Sequence, residues 1–413
     1  MSKKVLIFSM AYYPKFVGGG EVAIKEITDR LGKDDYEFHL ISLRFDKNIP
    51  KEEKIGNVFV YRIGFAGTMK ESADSVRFPL HYNKYLYPFL AVWKALQLSH
   101  QHNFKFTLSL MANYSGFGAL FFKFLRPEIP FLLNLQEGDP FEHYKKRVGV
   151  LLPLFKMIFK RADKVVVLSK YLAKWANDMG FKGEPMVVPN GVDIKQFELR
   201  DMNYELNKRK EIRTRLGLKD SNVALITTSR LVIKNGVGDV IEALSKLSDD
   251  LKNRVKFVIL GEGYLLEKLE LKIKNLKLED RVIFRGFVPH SDMPQYLKAC
   301  DVFIRPALSE GFGNSFIEAM ACRLPVIATP VGGILDFLID PTKLDHEERQ
   351  SGVEIQTGYF CEPNNPESIA ETIKKVINDP NKNTVVENAY KMVKEKYDWD
   401  MVASQMREVF DSI

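Results

Sequence analysis

Two glutamates stand eight residues apart in the segment Glu310-Gly-Phe-Gly-Asn-Ser-Phe-Ile-Glu318, separated by residue types that suit an oxygen-rich ligand. Gly311 and Gly313 free the backbone amides just ahead of a helix expected to begin near Asn314 or Ser315. Amides at a helix start lack intrahelical partners and carry positive potential, so they can hold phosphate or sugar oxygens. Glu318, about one turn inside the helix, could accept from both hydroxyls of a ribose diol. Glu310, ahead of the loop, could accept hydroxyl protons of a transferred sugar. Pairs of glutamates at this spacing are common by chance and usually lie on a solvated surface; the intervening glycines favour a ligand here.

Two further segments could handle phosphate. In Ser229-Arg230-Leu-Val-Ile-Lys234-Asn235-Gly236 the arginine supplies a planar fork for phosphate oxygens and the lysine a point charge, whereas a solvated basic loop is the alternative. In Pro14-Lys-Phe-Val-Gly18-Gly19-Gly20-Glu21 the glycines let a backbone approach a diphosphate at the start of a helix. A tight turn with Glu21 set against the helix dipole explains that segment equally well.

The elements that must position these residues read as two α/β halves. Val5 to Ser9, Phe38 to Leu43, Val58 to Arg62, Phe131 to Leu135 and Val165 to Leu168 are short apolar or β-branched runs, with helical patterns such as Ile24, Ile27 and Leu31 between them. The pattern pauses near Asn190-Gly191-Val192-Asp193, crosses a polar stretch to about Asp220, and restarts with Val223 to Thr228, Val255 to Leu260, Val282 to Phe284, Val302 to Ile304 and Val326 to Ala328. Alternation of this kind predicts doubly wound parallel sheets, which bind ligands at the carboxyl ends of their strands. A length of 413 residues suits two such domains.

Composition narrows the classes. The net charge of +7 favours anionic partners, and no low-complexity tract interrupts the chain. Cys300, Cys322 and Cys361 form no CxxC pair and have no metal-ligand spacing, which argues against a disulfide framework or zinc site and for a reducing cytosol. The apolar start reads as a buried strand, not a leader, and no stretch reaches the ~20 apolar residues a spanning helix needs.

Taken as an ordered set, Gly18-Gly19-Gly20-Glu21, Arg161-Ala162-Asp163, Asn190-Gly-Val-Asp193, Ser229-Arg230-Leu231, Gly261-Glu-Gly263, Phe284-Arg-Gly286, Glu310 to Glu318 and Glu318-Ala-Met-Ala321 with Pro325-Val326 resemble the retaining glycosyltransferases of family 4. The resemblance implies the GT-B fold, two facing Rossmann-like domains with an interdomain cleft. It implies a first, acceptor-binding domain of residues 1–194 with 397–413, the last helix crossing back, and a second, nucleotide-sugar-binding domain of 195–396. The implied reaction needs no metal and no cofactor beyond a nucleotide diphosphate sugar of UDP or GDP type. Arg230 and Lys234 would face the diphosphate, Glu318 the ribose, and Glu310 with the amides of Gly311, Phe312, Gly313, Asn314 and Ser315 the donor sugar. Gly19 and Gly20 would face the donor phosphates. The family's lysine commonly stands five residues after the arginine, where this chain has Asn235, so the assignment to Lys234 assumes a small shift. A histidine common after the strand Phe131 to Leu135 is replaced by Gln136-Glu137-Gly138-Asp139, leaving Gln136, Glu137 and Asp139 as acceptor or sugar-side candidates.

For retention without an evident nucleophile, the resemblance implies acceptor attack on the face from which the diphosphate leaves, with hexose transfer in glycan, glycolipid or envelope polysaccharide synthesis as the expected setting. A glycosidase would leave Arg230 and the glycine loop without a purpose, and Gly261-Glu-Gly263 lacks the third glycine of a dinucleotide fingerprint. The remaining alternative is a basic peripheral membrane or nucleotide-binding protein without transferase activity. The stretch from Lys145 to Arg161 could form an amphipathic basic helix on anionic lipid, or pack on its own domain. The expected partners are thus a nucleotide sugar and a carbohydrate or lipid-linked acceptor, with no nucleic acid. The expected location is the cytoplasm, including the inner face of the membrane.

Overall fold

The computed structural model describes residues 2–15, 18–67, 80–139, 141–198, 202–342 and 355–413, so Phe16 and Val17 of the glycine segment lie outside the described residues. The chain divides into two compact units, Met1–Asn190 with Trp399–Ile413, and Gly191–Asp398. Both are Rossmann-like: strands of continuous apolar residues need cover on each face, and amphipathic helices supply it.

The first unit holds β1 (Lys3–Phe8), β2 (Tyr36–Leu43), β3 (Glu52–Ile55), β4 (Val58–Ile63), β5 (Phe104–Leu110), β6 (Phe131–Leu135), β7 (Lys164–Val167) and β8 (Met186–Val187), ordered β3-β4-β2-β1-β5-β6-β7-β8. Neighbours pair in parallel apart from the antiparallel edge β3–β4. Strand order reverses between β1 and β5, so their carboxyl ends mark the switch point. Helix α1 (Gly19–Arg30) starts there. Its Ile24 and Ile27 pack with Val5, Ile7 and Leu108 and with Val402, Met406 and Phe410 of the terminal helix Trp399–Asp411, which is how the end of the chain joins this sheet.

The remaining cover includes α2 (Asn83–Ser99), α3 (Tyr114–Leu125), α4 (Phe141–Val148) and α5 (Leu152–Arg161). The stretch from Lys145 to Arg161, expected as one helix, is therefore two, joined by the 3-10 turn Gly149–Leu151. Pro153 stands at the start of α5, where its missing N–H costs nothing, whereas inside a continuous helix it would break the ladder. Phe155, Ile158 and Phe159 of α5 are buried within their own unit.

The second unit holds β9 (Val223–Thr228), β10 (Val255–Leu260), β11 (Val282–Gly286), β12 (Val302–Arg305), β13 (Val326–Ala328) and β14 (Tyr359–Phe360), all parallel in the order β11-β10-β9-β12-β13-β14. Here the switch point lies between β9 and β12. The polar stretch after Asn190 contains the helices Ile194–Phe197 and Met202–Arg215, with no strand among the described residues.

Candidate functional site

In the second unit the two strongest motifs follow the two strands at the switch point. Arg230 and Lys234 ride on the turn after β9, and Glu310 to Glu318 follow β12. The Leu308 N–H donates to the Lys234 carbonyl at 2.7 Å, fastening one loop to the other. Gly236 has φ of 68°, and a Cβ there would stand 2.1 Å from the Pro306 carbonyl oxygen, so only glycine admits this approach. Asn235 is buried, and its side-chain amide donates to the Arg230 carbonyl at 2.7 Å. Its carboxamide is thus committed to shaping the loop, while the neighbouring Lys234 side chain is half-buried.

Glu310 is tied from several sides. Its carboxylate pairs with Arg305, the last residue of β12, and its Oε1 accepts from the Gly311 N–H at 3.2 Å. Its carbonyl accepts from Gly333 N–H at 3.0 Å. Arg305 also donates through Nη1 to Ser315 Oγ at 2.9 Å and stacks 4.3 Å over the Phe316 ring. Burial pulls the guanidinium pKa below its ordinary value, while Glu310 and Glu318 oppose that shift. The arrangement orients Glu310 and the start of the helix Asn314–Ala321 as one piece. Each carboxylate oxygen accepts more than one hydrogen bond, so these contacts leave capacity for a sugar hydroxyl.

Glu318 sits on that helix with its side chain mostly buried, its Oε1 3.0 Å from His290 Nε2. Phe312 points inward, its ring 5.4 Å from Phe337 and 5.6 Å from Tyr397, so a ligand could meet only its backbone. Arg305 and His290 were not singled out from the sequence. A charged residue closing the short apolar run Val302 to Ile304 was the available signal for Arg305; His290 had none beyond following β11.

In the first unit Gly19 and Gly20 form the first turn of α1, and Glu21 Oε2 accepts from the Gly18 N–H at 2.8 Å, so the glutamate caps its own helix. Gly20 faces Leu110 at the end of β5, where an added Cβ would come within 3.2 Å of Leu110 Cδ1. After β6, Gln136 and Asn190 exchange hydrogen bonds of 3.2 and 3.0 Å through their amides. Glu137 is buried: Oε1 accepts from the Ala112 N–H, and Oε2 has no hydrogen-bond partner among the described residues. Burial pushes its carboxyl up to about 7, against stabilising backbone hydrogen bonds, with the charge of Asp139 adding to the rise. Asp139 itself is half-buried.

At the amino ends of β2 and β5 lies a group the sequence did not reveal, Glu37, His39 and His102, of metal-ligating types. Lys4 Nζ stands 3.0 Å from Glu37 Oε1 and 3.0 Å from His102 Nδ1, so an ammonium already meets these groups. Burial drives His39 down to about 4, which keeps its imidazole neutral.

Two family models match the chain, one described as Glycosyltransferase Family 4 over residues 17–196 and one as Glycosyl transferases group 1 over residues 208–392. An uncharacterized glycosyltransferase of Methanocaldococcus jannaschii is 25% identical across 98% of this chain and 97% of its own. The alpha-monoglucosyldiacylglycerol synthase of Streptococcus pneumoniae is 29% identical across 46% of this chain and 44% of its own. Among solved structures, Anabaena HepE in complex with UDP-glucose superposes with a TM-score of 0.76 at 21% identity, covering 99% of this chain and 100% of that one.

Proposed function

The chain belongs to the glycosyltransferases of family 4, with the GT-B fold, and from that premise we propose that it moves a hexose-type sugar from a UDP or GDP sugar to a hydroxyl acceptor, retaining the anomeric configuration without a metal. The observation that carries this reading is the joint placement, at the switch point of the second unit, of the Arg230–Lys234 turn and the Glu310–Glu318 loop, held together by Leu308 and Lys234. In the proposal Arg230 and Lys234 neutralise the departing diphosphate, Glu318 holds ribose hydroxyls, and Glu310 with the amides of Gly311 to Ser315 orients the sugar. Gly19 and Gly20 offer free amides to phosphate. Gln136, Glu137 and Asp139 serve the acceptor or the sugar.

The chemistry asked of the protein is positional and electrostatic. The acceptor oxygen attacks on the face the diphosphate leaves, its proton passing to a phosphate oxygen, so donors placed where charge develops lower the barrier. The domain roles follow: 1–194 with 397–413 for the acceptor and 195–396 for the donor. The HepE complex with UDP-glucose and the Streptococcus alpha-monoglucosyldiacylglycerol synthase support a nucleotide-sugar donor and a carbohydrate or lipid-linked acceptor, in glycan, glycolipid or envelope polysaccharide synthesis. Cys300, Cys322 and Cys361 are buried and form no disulfide among the described residues, which supports a cytoplasmic site of action, at the inner face of the membrane for a lipid-linked acceptor.

The test is a thermal-shift and turnover screen over uridine, guanosine and adenosine diphosphate sugars, since a bound donor stabilises only the folded state. A uridine or guanosine sugar is expected to raise the melting temperature and to release nucleoside diphosphate at a rate unchanged by EDTA. Absence of both effects for every donor would remove the transferase reading, and loss of turnover with EDTA would remove metal independence alone.

A further inference from the structure

In the first unit, α2 and α3 turn apolar side chains to solvent. Tyr85, Leu86, Phe89 and Trp93 recur at three- and four-residue steps, forming one exposed stripe of α2, while Tyr87, Ala91, Ala95 and Leu98 fill the buried one. Phe89 and Trp93 are 65% and 64% exposed. Phe121 of α3 packs against Phe89 with ring centroids 5.7 Å apart, and α3 carries the face on to exposed Phe124 and Leu125. A helix whose outer side merely meets water carries polar residues there, and a contiguous apolar face of this kind marks an interaction surface.

The charge on these helices is almost all of one sign, although Lys94 of α2 and Lys123 of α3 pair with Glu52 and Asp163 of neighbouring elements. Helices α2, α3, α4 and α5 contain nine lysines and arginines and one acidic residue, Glu142, in a chain whose totals are 60 and 53. The depletion of acid is therefore local to these helices. Lys84 Nζ stands 5.0 Å from the Tyr85 ring centroid and the Arg161 guanidinium 5.9 Å from that of Phe124. Tyr114 meets Tyr85 edge-on at 5.5 Å, and Arg147 lies near enough to Tyr114 to oppose the burial that raises its hydroxyl pKa. Cations of α2, α4 and α5 thus border the aromatic face at separate points.

We infer that the α2–α3 face is a docking surface for the headgroup layer of a bilayer rich in anionic lipid, with Phe89, Trp93, Phe124 and Leu125 seated at the acyl boundary and the basic side chains of α4 and α5 meeting lipid phosphates. Aromatic and aliphatic side chains bordered by basic ones define interfacial helices, whereas the rim of a protein interface is polar with charge of both signs. Anionic leaflets attract such basic segments over about a Debye length. No helix among the described residues is long and apolar enough to cross a membrane, so the contact is peripheral. The inference stands on this surface alone and is independent of the transferase reading.

The full chain is mixed with phosphatidylcholine vesicles, or with equimolar phosphatidylcholine and phosphatidylglycerol vesicles, and sedimented. Binding to the anionic vesicles at low salt, weakened by added salt, is expected, with a blue shift in tryptophan emission. Trp93 supplies that signal because Trp175 and Trp399 are buried. The exposed double variant Phe89→Ser with Trp93→Ser, its folding checked by melting, should bind at least tenfold more weakly. Lys145→Glu with Lys146→Glu should lose the salt-sensitive part. Wild-type protein left in the supernatant at low salt would overturn the proposal, as would unimpaired binding by the Phe89/Trp93 variant. Self-association of the wild type that this variant abolishes would assign the face to a second copy instead.

Discussion

Arg305 and Glu310 form an ion pair between the last residue of β12 and the first of the glycine loop, with side chains only 8% and 16% exposed. A pair taken this far out of water gains little net stability, but losing one partner leaves a buried charge uncompensated. Its structural value is orientation: one guanidinium fixes the Glu310 carboxylate and the Ser315 hydroxyl together.

Arg305→Met is therefore expected to destabilise the second unit by about 3 kcal/mol, because Glu310 would remain buried without its cation. Adding Glu310→Gln should recover part of that loss, since a neutral amide tolerates the same site. Urea unfolding of the wild type, both single variants and the double variant measures the coupling. Strictly additive losses would show that the pair does not act as a unit.

Arg230→Ala should lower turnover at saturating donor by about a hundredfold to a thousandfold, the usual cost of removing one donor aimed at developing charge. Lys234→Ala should behave similarly. Asn235→Ala should differ, lowering the melting temperature by freeing the Arg230 carbonyl that its amide holds. Nucleoside diphosphate release and thermal melts, read together, separate these outcomes. Equal behaviour of the Lys234 and Asn235 variants would remove the distinction between ligand contact and loop anchor.

The sequence made most of both sheets legible because strands such as Val5 to Phe8 and Phe131 to Leu135 are buried on both faces and read as unbroken or nearly unbroken apolar runs. β5 escaped although it lies at the switch point: Phe104-Lys-Phe-Thr-Leu-Ser-Leu alternates polar with apolar residues, and Thr107 and Ser109 are buried all the same. The loops after β9 and β12 could be found because glycines and charges cluster there. What sequence cannot announce is which neighbouring strand supplies a partner. The link from Lys234 to Leu308, the pair of Arg305 with Glu310 and the approach of His290 to Glu318 each arise from parallel strands and their loops being brought side by side. The outward stripe of Tyr85, Phe89 and Trp93 is shown only by the packing of α2, which buries Tyr87, Ala91 and Ala95 on the opposite side.

Gly332→Ala should disturb the site more than its position in the chain suggests. The residue has φ of 57°, and an added Cβ would lie 2.0 Å from the Glu310 carbonyl oxygen, so the main chain of the loop must shift. Gly217→Ala is the control, with φ of 68° and no atom within 4 Å of the added carbon. It should cost only the left-handed backbone penalty, about 1 to 2 kcal/mol, with donor turnover intact. Gly332→Ala should exceed that cost and also slow turnover at least tenfold. Matching losses of stability in the two variants, with full turnover in both, would show that Glu310 tolerates displacement.

Glu137 should make stability fall as pH rises from about 4.5 to about 7. Its carboxyl is pushed from the ordinary 4.5 up to about 7 by burial, so between those values the folded chain keeps a proton that the unfolded chain has released. The proton's contribution is fully present below about 4.5 and is lost by the time the pH passes about 7. Each pH unit of that window is worth ~1.4 kcal/mol, giving a total of roughly 3 kcal/mol. Glu137→Gln removes the titration while preserving the shape, and its carbonyl can accept from the Ala112 N–H as Oε1 does. Urea unfolding at pH 5 and pH 8 is expected to show a larger decline in the wild type than in the variant by about that amount. Histidines and the other carboxylates titrate in both proteins, so the difference between the two declines isolates Glu137. Equal declines would mean that water or a rearranged side chain reaches Oε2 in the folded protein and lowers the cost of its charge.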